Sequence, residues 1–149
     1  MRSFLPPILI RIMVGLVFLT EGILKFLRPE ELGAGRFAAI GLPLPHQLAP
    51  LVGGIEIGAG AAVILNFYAG EAALVLLCVI VTALITTKLP ILLGHSLGPF
   101  TLAKVAHTGW FGFLHEARTD FCMLIGAVVI LLDSGIQFGR RRWYQSKDL

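Results

Sequence analysis

Charged side chains are scarce in this sequence. Asp, Glu, Lys and Arg make up 14% of its 149 residues, whereas 56% of the residues are hydrophobic and the mean hydropathy is +0.86. Soluble globular chains contain about 25% charged residues, so this chain has too few polar groups to cover a water-facing surface. The composition excludes a soluble domain and a disordered chain, and it predicts a protein whose solvent is the lipid bilayer.

Cysteine is also scarce, and the common cofactor motifs are missing. The two cysteines, Cys78 and Cys122, form no CxxC pair and fall at different depths of the predicted helices, beyond disulfide reach. We expect both thiols to be buried and unreactive, which argues against a disulfide scaffold and a thiol-exchange reaction. No GxGxxG, P-loop or HExxH motif occurs, so no nucleotide, metal or covalently bound cofactor is indicated. A loop metal site with His107, His115 and Glu116 is the weaker alternative.

Four apolar stretches are long enough to cross a bilayer, which takes about 20 residues per helix. They cover roughly residues 5–27, 48–67, 71–93 and 118–138, and little sequence remains for a second domain. The connection between the second and third stretches is short and makes those helices antiparallel neighbours. We therefore predict an all-α fold in which residues 1–149 form a single transmembrane domain, an up-down-up-down four-helix bundle.

The distribution of basic residues predicts the orientation of this bundle. An even number of spans places both termini on one side, and that side holds five basic residues against three in the opposite loops. The five are Arg2, Arg140, Arg141, Arg142 and Lys147, and the three are Arg28, Arg36 and Lys104. By the positive-inside rule, we expect both termini to be cytoplasmic. The predicted location is the plasma membrane, as a multi-pass protein, and in a prokaryote this is the inner membrane.

The basic residues also bear on possible partners. Because they are scattered through apolar runs, no nucleic acid is expected as a partner.

Several ionisable residues lie inside the apolar stretches, where a charge costs several kcal/mol unless it has a partner or lines a cavity. The first stretch contains Arg11, Glu21 and Lys25, so we expect it to be retained and not cleaved as a signal peptide. Glu21 and Lys25 are spaced for an intrahelical pair. Arg11 and Asp133 both fall in the inner half of the predicted bundle, so we expect these two residues to pair with each other. These charges predict a polar pocket, although buried pairs that only hold helices together are an open alternative.

Glycines accompany these charges at helical spacing. Arg11, Gly15, Phe18, Gly22 and Lys25 form one stripe of the first helix, and Gly53 and Gly60 flank Glu56 in the second. Glycine allows a neighbouring backbone to approach closely, so we expect Glu56 to face protein and not lipid. The aromatic segment His107–Phe113 is typical of an interfacial belt, and a lid over a flat apolar ligand such as a quinone is the alternative.

Three motifs together resemble the DoxX family of small membrane proteins. They are R-x-x-x-G-x-x-F-x-x-E-G-x-x-K from Arg11 to Lys25, F-A-A-I-G-L-P from Phe37 to Pro43, and G-G-I-E-I-G-A-G from Gly53 to Gly60. The resemblance implies a four-helix membrane protein. Some members are similar to subunits of membrane redox systems, including the DoxD subunit of thiosulfate:quinone oxidoreductase. The glycine-rich ending that is frequent in the family is replaced here by Asp133-Ser-Gly135.

Three functional hypotheses follow. The first is a non-autonomous component of a quinone- or thiol-linked membrane redox system, with an intramembrane pocket that binds a quinone headgroup or a small thiol metabolite. Its candidate residues are Arg11, Glu21, Lys25, Glu56, His107 and Asp120. The second is a membrane anchor or assembly scaffold for a partner protein or a second copy of the chain. The third is a small-solute carrier. None of the three requires the chain to be an enzyme.

Overall fold

The computed structural model describes residues 5–134, with side chains from residue 8 onward. Within this range the chain is mostly helical and contains no β-strand. Its helices are α1 (Leu5–Leu27), α2 (Ala34–Ala39), α3 (Pro45–Ile64), α4 (Ala69–Ala83), α5 (Leu89–Leu93) and α6 (Gly109–Ser134). A π-helical turn, Leu84–Lys88, connects α4 to α5 without a break. The predicted all-α class is confirmed.

The helix boundaries agree with the apolar stretches except at the last one. α1 coincides with the predicted range 5–27, and α3 is displaced by about one turn because Pro45 supplies its first residue. α6 begins at Gly109, so the prediction that residues 109–117 belong to a loop was wrong. Polar residues such as His115 and Glu116 lower the hydropathy of this first part of α6 without preventing a helix.

Two helices of the described region are long and apolar enough to cross a membrane. They are α3, with 20 residues and a hydropathy of 1.5, and the continuous helix Ala69–Leu93, with 25 residues and a hydropathy of 2.4. α1 and α6 are of similar length, 23 and 26 residues. They differ in carrying more ionisable side chains, so their suitability for lipid depends on where those side chains point.

The long helices pack side by side with glycines at the closest point. α1 lies along α3, α4 lies along α6, and further contacts join α3 to α4 and α1 to α6. A Cβ atom added to Gly22 would lie 2.7 Å from the backbone oxygen of Gly53, and one added to Gly60 would lie 2.9 Å from that of Gly15. The predicted close approach along the glycine stripe is therefore present, and it joins α1 to α3.

The two long connections meet at one end of the helices. The Thr101 hydroxyl donates to the backbone oxygen of Ala39, and the Thr101 N–H donates to that of Ile40 at 3.2 Å. Gly41, at φ +80°, ends α2 in the left-handed region and packs against Pro99. These contacts hold α2 against the second long connection, at the ends of the long helices.

Some expectations concern parts of the chain outside the described residues. These are the basic residues Arg2, Arg140, Arg141, Arg142 and Lys147 that predict the cytoplasmic side, and the last positions of the range 118–138.

Candidate functional site

A cavity of about 430 Å³ lies between the long helices and beneath α2. Most of its wall is apolar, with side chains such as Phe18, Val52, Ile80 and Met123. Six charged residues also line it, three acidic and three basic: Glu21, Lys25, Arg36, Glu56, Lys88 and Asp120. The formal charges cancel, so the cavity is polar at a few positions but has no net charge.

The closest ion pair in the cavity joins α1 to α3. Lys25 Nζ lies 2.6 Å from Glu56 Oε2, and the two side chains are only 10% and 6% exposed. Lys25 also donates to the backbone oxygen of Glu21 at 3.4 Å. The expected pair between the Glu21 and Lys25 side chains is not formed, because Lys25 reaches across the glycine-lined contact to the buried Glu56 carboxylate. The inward orientation of Glu56 agrees with the glycine pattern.

A second pair joins the π-helical turn to α6, and it is looser. Lys88 Nζ lies 3.6 Å from Asp120 Oδ2, with side-chain exposures of 13% and 23%. That distance is too long for a hydrogen bond, and the Oδ2 atom is buried without any hydrogen-bond partner in the described part of the chain. Pro90 follows Lys88 by two positions, and its ring crowds the carbonyl four residues earlier, which the wider π turn accommodates.

Threonine side chains contribute acceptors to the same wall. The hydroxyls of Thr82, Thr86 and Thr87 donate to carbonyl oxygens one turn earlier in their own helix, at 2.8, 2.9 and 2.6 Å. All three residues line the cavity. Since each hydroxyl proton is already used within the helix, these groups present only oxygen lone pairs to a ligand.

Two further charges line the cavity without an ion pair to any described residue. Glu21 is close enough for its charge to act on both Glu56 and Asp120, and Arg36 of α2 acts on Asp120 in the same way. Both residues are exposed, unlike Lys25 and Glu56. They form the more accessible part of the polar lining.

The structure separates the six predicted site residues into two groups. Glu21, Lys25, Glu56 and Asp120 line the cavity together, although they come from three helices. Arg11 lies elsewhere on α1 and binds Asp133 Oδ2 at 3.0 Å and Ser134 Oγ at 3.1 Å, which confirms the expected Arg11–Asp133 pair.

His107 does not belong to this cavity. It is exposed in the segment before α6 and does not line the cavity wall.

Two charged residues that line the cavity were absent from the predicted site, Lys88 and Arg36. The charge of Lys88 inside an apolar stretch was a usable signal, whereas the sequence shows Arg36 only as one of several loop cations. The π turn and the threonine acceptors had no sequence signal that would place them in a site.

The cysteines differ from their expected state. Cys78 and Cys122 are free, and both are exposed, so the prediction that they are buried was wrong. Cys78 lines the cavity and Cys122 does not. Within the described residues, no group of His, Cys, Asp and Glu side chains has a geometry that could hold a metal ion.

These features define a helical protein with apolar outer faces and a polar cavity between its helices, as membrane proteins have. The chain belongs to the DoxX family, whose model matches residues 7–89, from α1 to the start of α5. It is also 44% identical over 128 residues to the uncharacterized membrane protein Rv3486 of Mycobacterium tuberculosis, an alignment that covers 85% of this chain and 74% of that protein. It is thus a membrane protein of the DoxX type. No solved structure gives a significant match to the chain.

Proposed function

We propose that α1, α3, the continuous α4–α5 helix and α6 cross the plasma membrane as an up-down-up-down four-helix bundle with both termini in the cytoplasm. The order of helix contacts and the short α3–α4 connection support this arrangement. The charges of α1 and α6 also support it, because Arg11, Lys25 and Asp120 each lie within ion-pair distance of a partner on another helix. Paired in this way, such charges are tolerated at membrane depth.

Within this bundle, we propose that the cavity binds a quinone headgroup or a ring compound of similar size, and that the protein is a non-autonomous component of a membrane redox system. The observation that carries the proposal is the cavity itself. Its volume of about 430 Å³ lies in the range of small-molecule sites, and mostly apolar walls with a few charged groups are typical of such sites. The redox assignment rests on the family resemblance to quinone-linked systems.

A scaffold role is the second candidate, and the exposed aromatic residues favour it. Trp110 and Phe111 at the start of α6 are 61% and 84% exposed. They lie on the part of the chain that carries the long connections, where a partner protein could bind. Aromatic residues at this position also suit the membrane interface, so they favour the scaffold less strongly than the cavity favours ligand binding. The carrier hypothesis remains a prediction from the sequence.

A substitution that fills the cavity without disturbing its ion pairs tests the proposed function. Ala83 lines the cavity, so Ala83→Phe places a ring in the proposed ligand position. Val81 is on the exposed side of the same helix, 39% exposed, so Val81→Phe adds a ring there as a matched control. Both proteins are purified in mild detergent and compared with the wild type by native mass spectrometry and lipid extraction.

We expect a small aromatic or quinone molecule to co-purify with the wild type and Val81→Phe but not with Ala83→Phe. A molecule retained equally by both variants would place it outside the cavity. If the wild type carries no small molecule and a partner polypeptide stays with every variant, the scaffold function replaces the proposed one.

A further inference from the structure

The cavity opens sideways between two helices, and this opening indicates the kind of ligand that it accepts. Two residues that line the cavity, Glu21 of α1 and Thr119 of α6, are both exposed. Resting on the proposed ligand-binding function, we propose that the ligand is a membrane-dissolved amphiphile. Its ring occupies the cavity, and its long apolar tail passes between α1 and α6 into the lipid.

The register of α1 against α6 shows where the two helices separate. Gly126 packs against Val14, and both residues are buried. Glu21 lies two helical turns further along α1 than Val14, so it occupies the same face. α6 runs antiparallel to α1, and Thr119 lies two turns from Gly126 on the same face, at the level of Glu21. The two faces therefore touch at one level and leave both residues exposed two turns away.

The contact between α1 and α6 is also the smallest of the four contacts that join the long helices. On α4, Cys78 and Thr82 line the cavity and are exposed. The lining residues of the neighbouring α3, such as Val52 and Glu56, are not exposed. The opening between α1 and α6, by contrast, has an exposed lining residue on each of its walls.

The end of the cavity beneath α2 is a less suitable exit for an apolar tail. Phe37 and Ile40 line the cavity there without being exposed, while Arg36 is exposed. In the proposed bundle this end faces the membrane surface, where a tail would meet water.

The lateral opening faces hydrocarbon in the same arrangement. Glu21 lies six residues before the end of α1 and Thr119 ten residues after the start of α6, which is roughly 9 Å and 15 Å at about 1.5 Å per residue. Apolar side chains are exposed at similar levels, including Ile23 on α1 and Ile125 on α6. A compound that uses this opening therefore comes from the bilayer and needs a part that is stable there.

The size of the cavity explains why the tail lies outside it. Its volume of about 430 Å³ is near the lower end of the range of roughly 300–1,000 Å³ for small-molecule sites, so a ring compound leaves no room for a long tail. Val17 and Met123, one turn from Glu21 and Thr119, also line the cavity. Apolar contact thus continues from the ring to the first part of the tail.

Two compounds that differ only in a tail test this inference without redox chemistry. 1-Naphthol is the ring alone, and 4-decyl-1-naphthol carries the same ring and hydroxyl with a decyl chain. Saturable binding of each to the full chain in nanodiscs is measured at equilibrium, with empty nanodiscs as the blank for partition into lipid. Thr119→Trp places a ring in the opening. Ile125→Trp adds the same ring to a 62% exposed position of α6 that does not line the cavity, as a matched control.

We expect the wild type and Ile125→Trp to bind both compounds. In Thr119→Trp the affinity for 4-decyl-1-naphthol should fall at least about tenfold, because the tail and the new ring compete for one space, while that for 1-naphthol should stay within about threefold. Retained binding of 1-naphthol, with the size-exclusion profile, establishes that this variant is folded. Ala83→Phe should lose both compounds, since it fills the cavity itself.

A second measurement uses the wild type alone. A 4-decyl-1-naphthol derivative with a diazirine on the chain next to the ring is irradiated in the nanodiscs, and the labelled peptides are identified by mass spectrometry. We expect label on the peptides that contain Glu21 or Thr119, reduced by excess unlabelled compound. Competed label confined to Cys78 and Thr82 would overturn the proposed route, because the tail would then leave beside α4.

The outcomes separate this inference from the proposed function. Wild-type affinity of Thr119→Trp for 4-decyl-1-naphthol would overturn the route between α1 and α6, as would a wild type that binds 1-naphthol alone, and ligand binding in the cavity would stand in both cases. If Thr119→Trp loses both compounds, the position of the label in the wild type decides. Saturable binding of neither compound to the wild type would overturn both proposals.

Discussion

The buried ion pair between Lys25 and Glu56 allows a quantitative test of the packing between α1 and α3. Glu56→Gln removes the negative charge and leaves the Lys25 ammonium without a counter-charge, with only neutral acceptors: the new amide oxygen and the Glu21 carbonyl at 3.4 Å. Because the two side chains are 10% and 6% exposed, solvent cannot replace the lost partner. Breaking a buried pair in this way costs about 3–5 kcal/mol, and we expect the free energy of unfolding to fall by that amount.

Removing both charges should cost much less. In the double variant Lys25→Met with Glu56→Leu, no charge is left buried and the apolar side chains fill a similar volume, so we expect a stability within about 1 kcal/mol of the wild type. The nearby pair of Arg28 and Glu31 serves as a control. Arg28 Nη1 lies 3.2 Å from Glu31 Oε2, and the two side chains are 63% and 68% exposed. The coupling energy of this pair should therefore be only about 0.2–0.5 kcal/mol.

The assay is unfolding by sodium dodecyl sulfate in mixed micelles, followed by circular dichroism for the wild type, the single variants and the double variant. The wild type, Lys25→Met, Glu56→Leu and the double variant form a double-mutant cycle, and its coupling energy is compared with that of the corresponding cycle at Arg28 and Glu31. Glu56→Gln with a stability within about 1 kcal/mol of the wild type would refute the reasoning. It would mean that Lys25 finds another partner or reaches water when Glu56 is neutral.

Two further predictions concern helix packing and access to the cavity. Gly22→Ala should lower the free energy of unfolding by about 1–3 kcal/mol, because its Cβ would lie 2.7 Å from the Gly53 oxygen. In the control Gly54→Ala the new Cβ meets no atom within 4 Å, so this variant should be neutral or slightly stabilising in the same assay. Equal losses of stability in the two variants would contradict the α1–α3 contact. The ring compound 1-naphthol, used as a probe of the proposed cavity site, should at saturation slow N-ethylmaleimide modification of Cys78, which lines the cavity, and leave that of Cys122 unchanged. The modification is measured by peptide mass spectrometry, and equal protection of both thiols would indicate a general effect on the bilayer.

The helices of this fold were predictable where apolar length alone determines them. α1 and α3 follow directly from runs of apolar residues, and the glycines at 15, 22, 53 and 60 indicate which faces meet, since only close backbone packing explains their spacing. The start of α6 was not predictable in the same way. Gly109 and Gly112 are poor helix formers, and His115 and Glu116 lower the hydropathy, so this segment resembles a loop until its packing against α5 is known.

The site was predictable in its residue types more than in its pairing. Charges inside apolar stretches identify Glu21, Lys25, Glu56 and Asp120 as unusual, because each needs a partner or a cavity at that depth. Which charge meets which depends on rotations of the helices that the sequence does not encode locally. Local spacing therefore favoured a Glu21–Lys25 pair, while the close α1–α3 contact brings Glu56 nearer to the Lys25 ammonium.

The arrangement of the charges decides how architecture and function can be separated experimentally. Lys25 with Glu56 and Lys88 with Asp120 each connect two helices, so the pairs support the bundle even as they line the cavity. Loss of ligand binding in a variant such as Glu56→Gln would therefore be ambiguous, since the same substitution weakens the α1–α3 contact. Ala83→Phe replaces no member of either pair and adds a ring to the cavity that they line. Evidence for a ligand should accordingly come from substitutions that fill the cavity and keep both ion pairs.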